Sequence, residues 1–457
     1  MREDLVLGES SAPKRILSAP GQVLLHGRDA RRLTRTTEHL TAEGFAVSAC
    51  ALTTNLFERL VEERPDILVI EGARGDADDR RLIAALRSDP ATAHLPIVAW
   101  ASDGLDFSAL GGGPELFDDV ISRPVATSVL AARLHPLIRL STMGAEWRRR
   151  QLTSELLHLP LKPAFGPELE LLRTRHFLAV TDDERMAGSL GVGSVGAPSM
   201  VDRSQLDAGA WERLFAGSYD GLVLGGATDR DLAVIERIRA HGELFDLPIV
   251  VLNGSAGDRG HEEIYRAGAS IALPAGAAAT EVRFALSALE RRRRQRGVMR
   301  SALRDALSGM PKDELTGLPD ASFLDTHGAI LARASRGRPM AATLFELDNL
   351  RHTAYALGPH AARALMRQVA GWIAGMVRAE DTVARCSETE VLIFLPGTAI
   401  DAADLVARRI AAVLRHTDFG LPGVEAPVRP WLKFGTATFA DVESWGHLAD
   451  RARAARH

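Results

Sequence analysis

The chain has 457 residues, of which 46% are hydrophobic and 25% are charged, and its formal net charge is -4. This length predicts about three domains, and the composition is typical of soluble globular protein. The net charge argues against bulk binding of nucleic acid or anionic membrane, and the two cysteines, Cys50 and Cys386, exclude a disulfide framework and fit a reducing compartment. The sequence shows no apolar run of about 18 residues and no signal peptide, so we expect a cytoplasmic protein.

Strands and helices alternate from residue 21 to residue 142. The predicted strands lie at 22–26, 45–51, 67–70, 95–100 and 119–122, and the predicted helices lie at 31–43, 55–63, 80–87 and 128–140. This alternation predicts a parallel, doubly wound sheet of the flavodoxin-like type. A second copy is predicted over residues 173–290, with strands at 176–180, 220–224, 247–252 and 268–273. We therefore predict an α/β protein with an internal duplication, which follows a flexible N-terminus (1–20) and contains a linker (143–172).

Both copies resemble the receiver domain of response regulators in the order and lengths of their elements. A receiver holds a phosphoacceptor Asp at the end of its third strand, an acidic pair for Mg²⁺, a hydroxyl side chain and a Lys. In the first copy Glu71 stands at the phosphoacceptor position, and His26-Gly27 replaces most of the acidic pair, although Asp29 is near. Glu71 is either a polar residue at the end of a strand or a fixed negative charge that imitates the phosphorylated state.

The remaining receiver positions are also degenerate. In the first copy Ala101, followed by Ser102, takes the hydroxyl place and Arg123 takes the Lys place. In the second copy Gly225 stands at the phosphoacceptor position and Leu273 takes the Lys place. Asp182-Asp183 matches the acidic pair there, but without an acceptor we interpret it as a helix N-cap. We expect neither copy to take a phosphoryl group.

A long helical pattern at 281–307 leads out of the second copy. It contains a run of arginines at 291–294 and another at 296. Such a run is typical of a solvated helix face, with a phosphate-binding patch as the alternative. We therefore predict a solvent-exposed linker helix over residues 291–312.

The third predicted domain, residues 313–457, carries three motifs at a regular spacing. Asp313-Glu314-Leu315-Thr316-Gly317-Leu318 opens it, and Arg378-x-x-Asp381 is followed after five residues by Ser387-Glu388-Thr389-Glu390-Val391. This frame resembles the GGDEF family, the diguanylate cyclases that make cyclic di-GMP, in which the last motif reads G-G-D/E-E-F on a hairpin turn. The resemblance implies an α/β domain of the nucleotidyl-cyclase type.

The resemblance also implies that catalysis is lost. In the family two carboxylates hold two Mg²⁺ on GTP. Glu346 stands at the first metal position, Thr389 replaces the second carboxylate, and Glu390 is retained. Ala354 and Arg363 stand where the family reads guanine with Asn and Asp. The family's closing Y-x-A-K-x-x-G-R segment is not found after the predicted helix at 447–456, so we expect no catalytic residues and no functional metal.

Arg378 and Asp381 form the family's R-x-x-D motif, which binds cyclic di-GMP. Guanine offers O6 and N7 to an arginine, while its N1–H and amino groups suit a carboxylate. The resemblance places a further contact at Arg409 on the next helix. The alternative for Arg378 and Asp381 is a surface ion pair that contributes under about 1 kcal/mol to stability.

The resemblance implies a cyclic di-GMP effector and not an enzyme. Catalytically silent members with this layout are expected to form homodimers and to act at the cell pole, where they recruit an RcdA-like adaptor so that the ClpXP protease degrades the cell-cycle regulator CtrA. Two alternatives stay open. One is a cyclase that works with Glu346, Asp348 and Glu390, and the other is a scaffold that binds only proteins.

Overall fold

The computed structural model describes residues 21–51, 55–89, 91–101, 117–121, 127–160, 175–181, 199–203, 208–217, 219–254, 260–334, 339–439 and 444–456. These residues form two compact units. The N-terminal unit consists of described residues from 21–148 and 161–306. The C-terminal unit consists of described residues from 149–160 and 307–456. The predicted flexible segment 1–20 lies outside the described residues.

The N-terminal unit contains two parallel sheets with the same strand order. The first sheet has the order β2-β1-β3-β4-β5, with β1 Gln22–Gly27, β2 Ala46–Cys50, β3 Ile67–Ala73, β4 Ile97–Ala101 and β5 Asp119–Ile121. Its helices are α1 (Ala30–Ala42), α2 (Leu56–Glu63), α3 (Ala77–Ser88) and the first part of α4 (Thr127–Leu156). This order is that of the flavodoxin-like fold.

The second sheet repeats the first. Its order is β7-β6-β8-β9-β10, with β6 Arg175–Val180, β7 Ser199–Arg203, β8 Gly221–Leu224, β9 Ile249–Asn253 and β10 Ile271–Pro274. The helices that follow its strands are α5 (Ala208–Phe215), α6 (Asp229–Ala240), α7 (His261–Ala267) and α8 (Ala279–Ser308). The predicted duplication of a doubly wound α/β fold is confirmed.

Local sequence explains why these elements form. Strand β3 begins with four apolar residues from Ile67 to Ile70, all of them buried, as expected for a central strand covered on both faces by helices. Helix α1 begins after Asp29, whose carboxylate accepts the backbone N–H groups of Arg31 and Arg32. Helix α7 ends at Gly268, which adopts a φ of 110°.

The arginine run of helix α8 is not a solvated face, contrary to the prediction. Arg292 is only 5% exposed, and its guanidinium lies 3.2 Å from the carboxylate of Asp119, which also binds Arg133. Arg293 pairs with Asp246 at 3.2 Å. A buried carboxylate such as Asp119 would be unstable without partner cations, so these arginines have a structural role that a helical charge pattern does not reveal.

The C-terminal unit is built on an antiparallel sheet. The order of its described strands is β12-β13-β11-β14, with β11 Met340–Leu347, β12 Thr382–Arg385, β13 Glu390–Pro396 and β14 Leu432–Thr438. Its helices are α9 (Ala321–Ala334), α10 (Leu350–Leu357), α11 (Pro359–Met376), α12 (Ile400–Arg415) and α13 (Trp445–Ala454). The two central strands, β11 and β13, are buried along nearly their whole length.

The end of helix α4 packs inside this C-terminal unit. The sequence predicted that the helix ends at residue 140, but it continues to Leu156. The side chain of Arg150 is fully buried, and its Nη2 donates to the backbone carbonyl of Asp381 (3.1 Å) and to Thr382 Oγ1 (2.9 Å). Thr153 Oγ1 is hydrogen-bonded to Nδ1 of the buried His327 at 2.9 Å. Part of the predicted linker therefore belongs to the core of the C-terminal unit.

None of the helices in the described parts of the chain combines the length and the apolar character that crossing a membrane requires.

Candidate functional site

The turn between β12 and β13 is held by Arg385. The Arg385 guanidinium donates to the carbonyl oxygens of Ser387 (3.0 Å) and Glu388 (3.1 Å) and to Asp313 Oδ2 (2.8 Å). The Asp313 carboxylate also accepts from the Thr316 N–H and hydroxyl. Burial alone would raise the pKa of Asp313, but the hydrogen bonds from Thr316 and Arg385 outweigh it and lower that pKa. Arg385 thus joins the opening motif to the turn between β12 and β13 through hydrogen bonds. Arg385 was not identified from the sequence.

Two carboxylates that the sequence assigns to a degenerate active site lie side by side. Glu346 on β11 and Glu390 on β13 are directly paired residues of adjacent antiparallel strands. The Thr389 side chain brings no third carboxylate, and its carbonyl accepts the Leu347 N–H at 2.9 Å. Asp348 lies beyond the strand and pairs with Lys433 at 2.9 Å. Of the three acidic groups that a residual cyclase would use, the structure therefore brings two together.

Two arginines at the end of the chain bind these carboxylates. Arg453 makes a two-point contact with Glu390, with Nε to Oε1 at 2.9 Å and Nη2 to Oε2 at 2.8 Å. Arg456 bridges the pair, because one of its terminal nitrogens contacts Glu346 and the other contacts Glu390. Arg453 lies in helix α13 and Arg456 lies two residues beyond its end, so this stretch of chain brings two cations to the site.

The electrostatics follow from these contacts. The hydrogen bond from Arg453 is the largest cause of a lowered pKa at Glu390, although burial opposes it. The same contact raises the pKa of Arg453. Burial, with the Glu390 charge, raises the pKa of the neighbouring Cys386 thiol to about 12, so that this thiol stays protonated.

The donor set does not fit the Mg²⁺ that the family implies. A hard divalent cation needs several oxygen ligands. Here Glu346 and Glu390 are both engaged by arginines, and Thr389 supplies no carboxylate. Within the described ranges no group of three or more His, Cys, Asp or Glu side chains could hold a metal ion.

The two positions that the resemblance predicts to read guanine carry no suitable groups. Ala354 is partly buried against the apolar core, and Arg363 is exposed on helix α11. An alanine offers no hydrogen bond to a base edge, and a cation cannot accept from the N1–H and amino groups of guanine.

The R-x-x-D motif folds as a tight turn between α11 and β12. Arg378 is exposed, whereas Asp381 is only 7% exposed. The Asp381 carboxylate accepts the backbone N–H of Arg378 at 2.8 Å, and the Asp381 N–H donates back to the Arg378 carbonyl at 3.1 Å. Arg409 is exposed on helix α12, and its Nη2 reaches the Met376 carbonyl, two residues before Arg378, at 3.4 Å. Arg409 therefore lies close to the chain segment that leads into the motif.

The buried Arg150 lies directly behind this turn. It contacts the backbone of Asp381 and the side chain of Thr382, as described above. Arg150 and Asp381 are 231 residues apart in sequence, so no local pattern could have linked them.

The two predicted phosphoacceptor positions differ in their surroundings. Glu71, 6% exposed, lines a cavity of about 610 Å³ where the order of the first sheet reverses between β1 and β3. His26 and Asp29 also line it. At Gly225 a Cβ atom would lie 2.5 Å from Thr181 Oγ1, so the backbone there is packed against a side chain. Ser102, Arg123, Asp182 and Asp183 lie outside the described residues.

The C-terminal unit is similar to a known protein family. Residues 311–456 match the sequence model of the family described as diguanylate cyclase, GGDEF domain. These residues have the GGDEF fold. The predicted fold class, two flavodoxin-like domains followed by a GGDEF-type domain, is therefore confirmed.

Most of the chain is similar to a response regulator. It is 25% identical over 382 residues to the response regulator PleD of Caulobacter vibrioides. This match covers 81% of this chain and 82% of PleD. It is 30% identical over 101 residues to the phosphate regulon transcriptional regulatory protein PhoB of Rhizobium meliloti, which covers 22% of this chain and 44% of PhoB. The chain is therefore similar to a response regulator over most of its length, and its residues 311–456 match the GGDEF family model.

Among solved structures, the chain is similar to the GGDEF domain of DgcB from Caulobacter crescentus in complex with c-di-GMP. The identity is 17%, the match covers 31% of this chain and 83% of that one, and the TM-score is 0.30. Because this score is low, the GGDEF assignment rests on the family match.

Proposed function

We propose that this protein is a catalytically silent cyclic di-GMP effector that binds its ligand at Arg378, Asp381 and Arg409. The observation that carries the proposal is the geometry of the R-x-x-D turn. Arg378 offers an exposed guanidinium, the Asp381 carboxylate is fixed by a backbone N–H, and the exposed Arg409 contacts the segment just before the motif. Cyclic di-GMP carries two guanines and two phosphates, which suit an arginine by stacking, base-edge hydrogen bonds and charge.

Catalytic silence is proposed on separate grounds. Thr389 removes one metal-binding carboxylate, and Ala354 and Arg363 remove both guanine contacts. The remaining pair, Glu346 and Glu390, is bound by arginines. With GTP and Mg²⁺ or Mn²⁺ we expect no cyclic di-GMP from the purified protein. Product that disappears in Glu390→Ala would instead support a residual cyclase.

The finer role rests on the resemblance to PopA, a catalytically silent paralogue of PleD-type regulators with a retained R-x-x-D. By that resemblance the liganded protein forms a homodimer, moves to the cell pole and recruits an RcdA-like adaptor, so that ClpXP degrades CtrA. Co-purification of adaptor with the full chain, with and without cyclic di-GMP, tests this role. Equal capture without ligand would favour the ligand-free scaffold.

The domain boundaries and the receiver-like domains belong to the same proposal. We propose domains at 21–142, 173–290 and 313–457, the first two of which supply dimer or partner surfaces. Neither is phosphorylated, because Glu71 cannot form the usual aspartyl phosphate and Gly225 has no side chain. Incubation with acetyl phosphate and Mg²⁺ should leave the intact mass unchanged, and an adduct on either domain would contradict this.

Calorimetry with cyclic di-GMP and with GTP tests the central claim. Arg378→Ala removes charge-assisted contacts that typically contribute about 1.5–3 kcal/mol each, so affinity for cyclic di-GMP should fall at least 10- to 150-fold. Arg409→Ala should weaken binding less. Arg408→Ala is the matched control, since Arg408 is the exposed neighbour of Arg409 and pairs with Asp404 instead. Wild-type affinity in Arg378→Ala would place the nucleotide elsewhere.

A further inference from the structure

The facing positions of Glu346 and Glu390 create an electrostatic problem. Directly opposed residues of an antiparallel pair have Cβ atoms about 4.5–5.5 Å apart, and like charges in such a pair are destabilising. Glu390 is 6% exposed, so water screens its charge poorly. Two ionised carboxylates at this place therefore require a cation between them.

The chain itself provides that cation. The Arg456 guanidinium spans both carboxylates, and Arg453 forms the two-point contact with Glu390. Two carboxylates and two guanidiniums sum to zero charge. A planar guanidinium with several N–H donors suits this bridging position, and it occupies the space between the carboxylate oxygens that a metal ion would need.

The fold fixes these arginines in place. Helix α13 lies so close to strand β14 that a Cβ on Gly435 would be 2.0 Å from the Ala452 carbonyl oxygen. The helix begins at Ser444, whose hydroxyl accepts the N–H of His447. Arg453, on this docked helix, and Arg456, two residues beyond its end, therefore approach the carboxylates from a segment that is held against the sheet.

We infer that Arg453 and Arg456 replace the divalent cation of this active site with a permanent internal counter-cation. The former metal site is then a structural joint between β11, β13 and helix α13. Its integrity does not depend on Mg²⁺ or Mn²⁺, and it is independent of ligand binding at Arg378.

The replacement can be tested with Mn²⁺ on the full chain. Wild-type protein should show no Mn²⁺ binding that Glu390→Gln abolishes, measured by the free-Mn²⁺ electron paramagnetic resonance signal. The double variant Arg453→Gln/Arg456→Gln frees both carboxylates and should gain one Mn²⁺ site that is lost again on adding Glu390→Gln. Binding of Mn²⁺ by wild type at Glu390, or no gained site in the double variant, would overturn the inference.

A single variant covers the case in which the double variant does not fold. Arg456→Gln should lower the unfolding temperature of this unit by roughly 2–8 °C. The loss should be smaller in a Glu346→Gln background, where the like-charge pair no longer exists. Arg429→Gln is the control, because it removes one arginine from an exposed pair with Asp418 in the same unit. An effect of Arg456→Gln that equals the control, or that Glu346→Gln does not reduce, would contradict the proposed role.

Discussion

At the scale of single residues, Asp381 has two tasks. Its carboxylate is one of the proposed ligand contacts, and it also accepts the Arg378 N–H that closes the turn. Of the two motif residues, only Arg378 is exposed. Spacing within a known frame identified the residues correctly as neighbours, whereas burial depends on chain segments that the motif does not contain.

The two tasks of Asp381 can be separated by substitution. Asp381→Asn keeps an oxygen that can accept the Arg378 N–H but loses the charge, so we expect weaker cyclic di-GMP binding with little loss of stability. Asp381→Ala also loses the acceptor and should lower stability by about 1–3 kcal/mol. Calorimetry and thermal unfolding measure the two effects. Equal stability of the two variants would show that the carboxylate does not support the turn.

The lowered pKa of Glu390 predicts that the stability of the folded protein depends on pH. Its pKa is lowered from the ordinary value of 4.5, so the ionised form is favoured in the folded state. The stability it contributes is present above that ordinary value and is lost as the pH falls below it toward the folded-state pKa. Urea unfolding at falling pH should show a shallower loss of stability in Glu390→Gln than in wild type. The exposed Glu388→Gln should follow wild type, and a Glu390→Gln curve parallel to wild type would refute the assignment.

At the scale of elements, most strands and helices follow from periodicity, and the exceptions have physical causes. The first two strands were predicted within one residue, at 22–26 and 45–51 against Gln22–Gly27 and Ala46–Cys50. The predicted end of helix α4, at residue 140, came too early, because the later turns gain their stability from packing in the C-terminal unit. The arginines of helix α8 were assigned to solvent because a charge run does not show a buried partner such as Asp119.

The docking of helix α13 depends on one glycine. A Cβ at Gly435 would collide with the backbone of Ala452, so Gly435→Ala should displace the helix and expose its amides. Hydrogen exchange over residues 445–456 should rise by roughly tenfold or more, which corresponds to about 1.4 kcal/mol of lost protection. Gly446→Ala is the control, because a Cβ there meets only Ser444 Oγ at 3.6 Å. Unchanged exchange in Gly435→Ala would show that the docking of the helix does not depend on this glycine.

At the scale of the whole molecule, the C-terminal unit is assembled from two distant parts of the chain. The layout of three α/β domains was predictable because each repeats a strong local pattern. The contribution of 149–160 was not, since Arg150 meets Asp381 across 231 residues of sequence. A pattern of neighbouring residues in the sequence does not reveal such a contact.

We therefore expect Arg150 to affect the stability of the proposed ligand site, which it contacts from the buried side. Arg150→Ala leaves buried acceptors on Asp381 and Thr382 without this donor, which should destabilise the region by on the order of 1–3 kcal/mol. Hydrogen exchange over 378–396 should increase in the full chain. The control is Glu155→Ala, an exposed residue of the same helix. Protection equal to that of the control would show that the helix end is only loosely associated.

The divided C-terminal unit has a consequence for synthesis on the ribosome. Residues 149–160 leave the exit tunnel long before strands β11 to β14 are synthesised. The side chains around Arg150 that are buried in the folded unit therefore stay exposed until those strands exist. Closing such a long loop has an entropic cost, and contacts of high sequence separation slow folding. The unit that carries the proposed ligand site is thus the last to complete, and premature termination anywhere before β14 leaves that early segment as an exposed surface prone to aggregation.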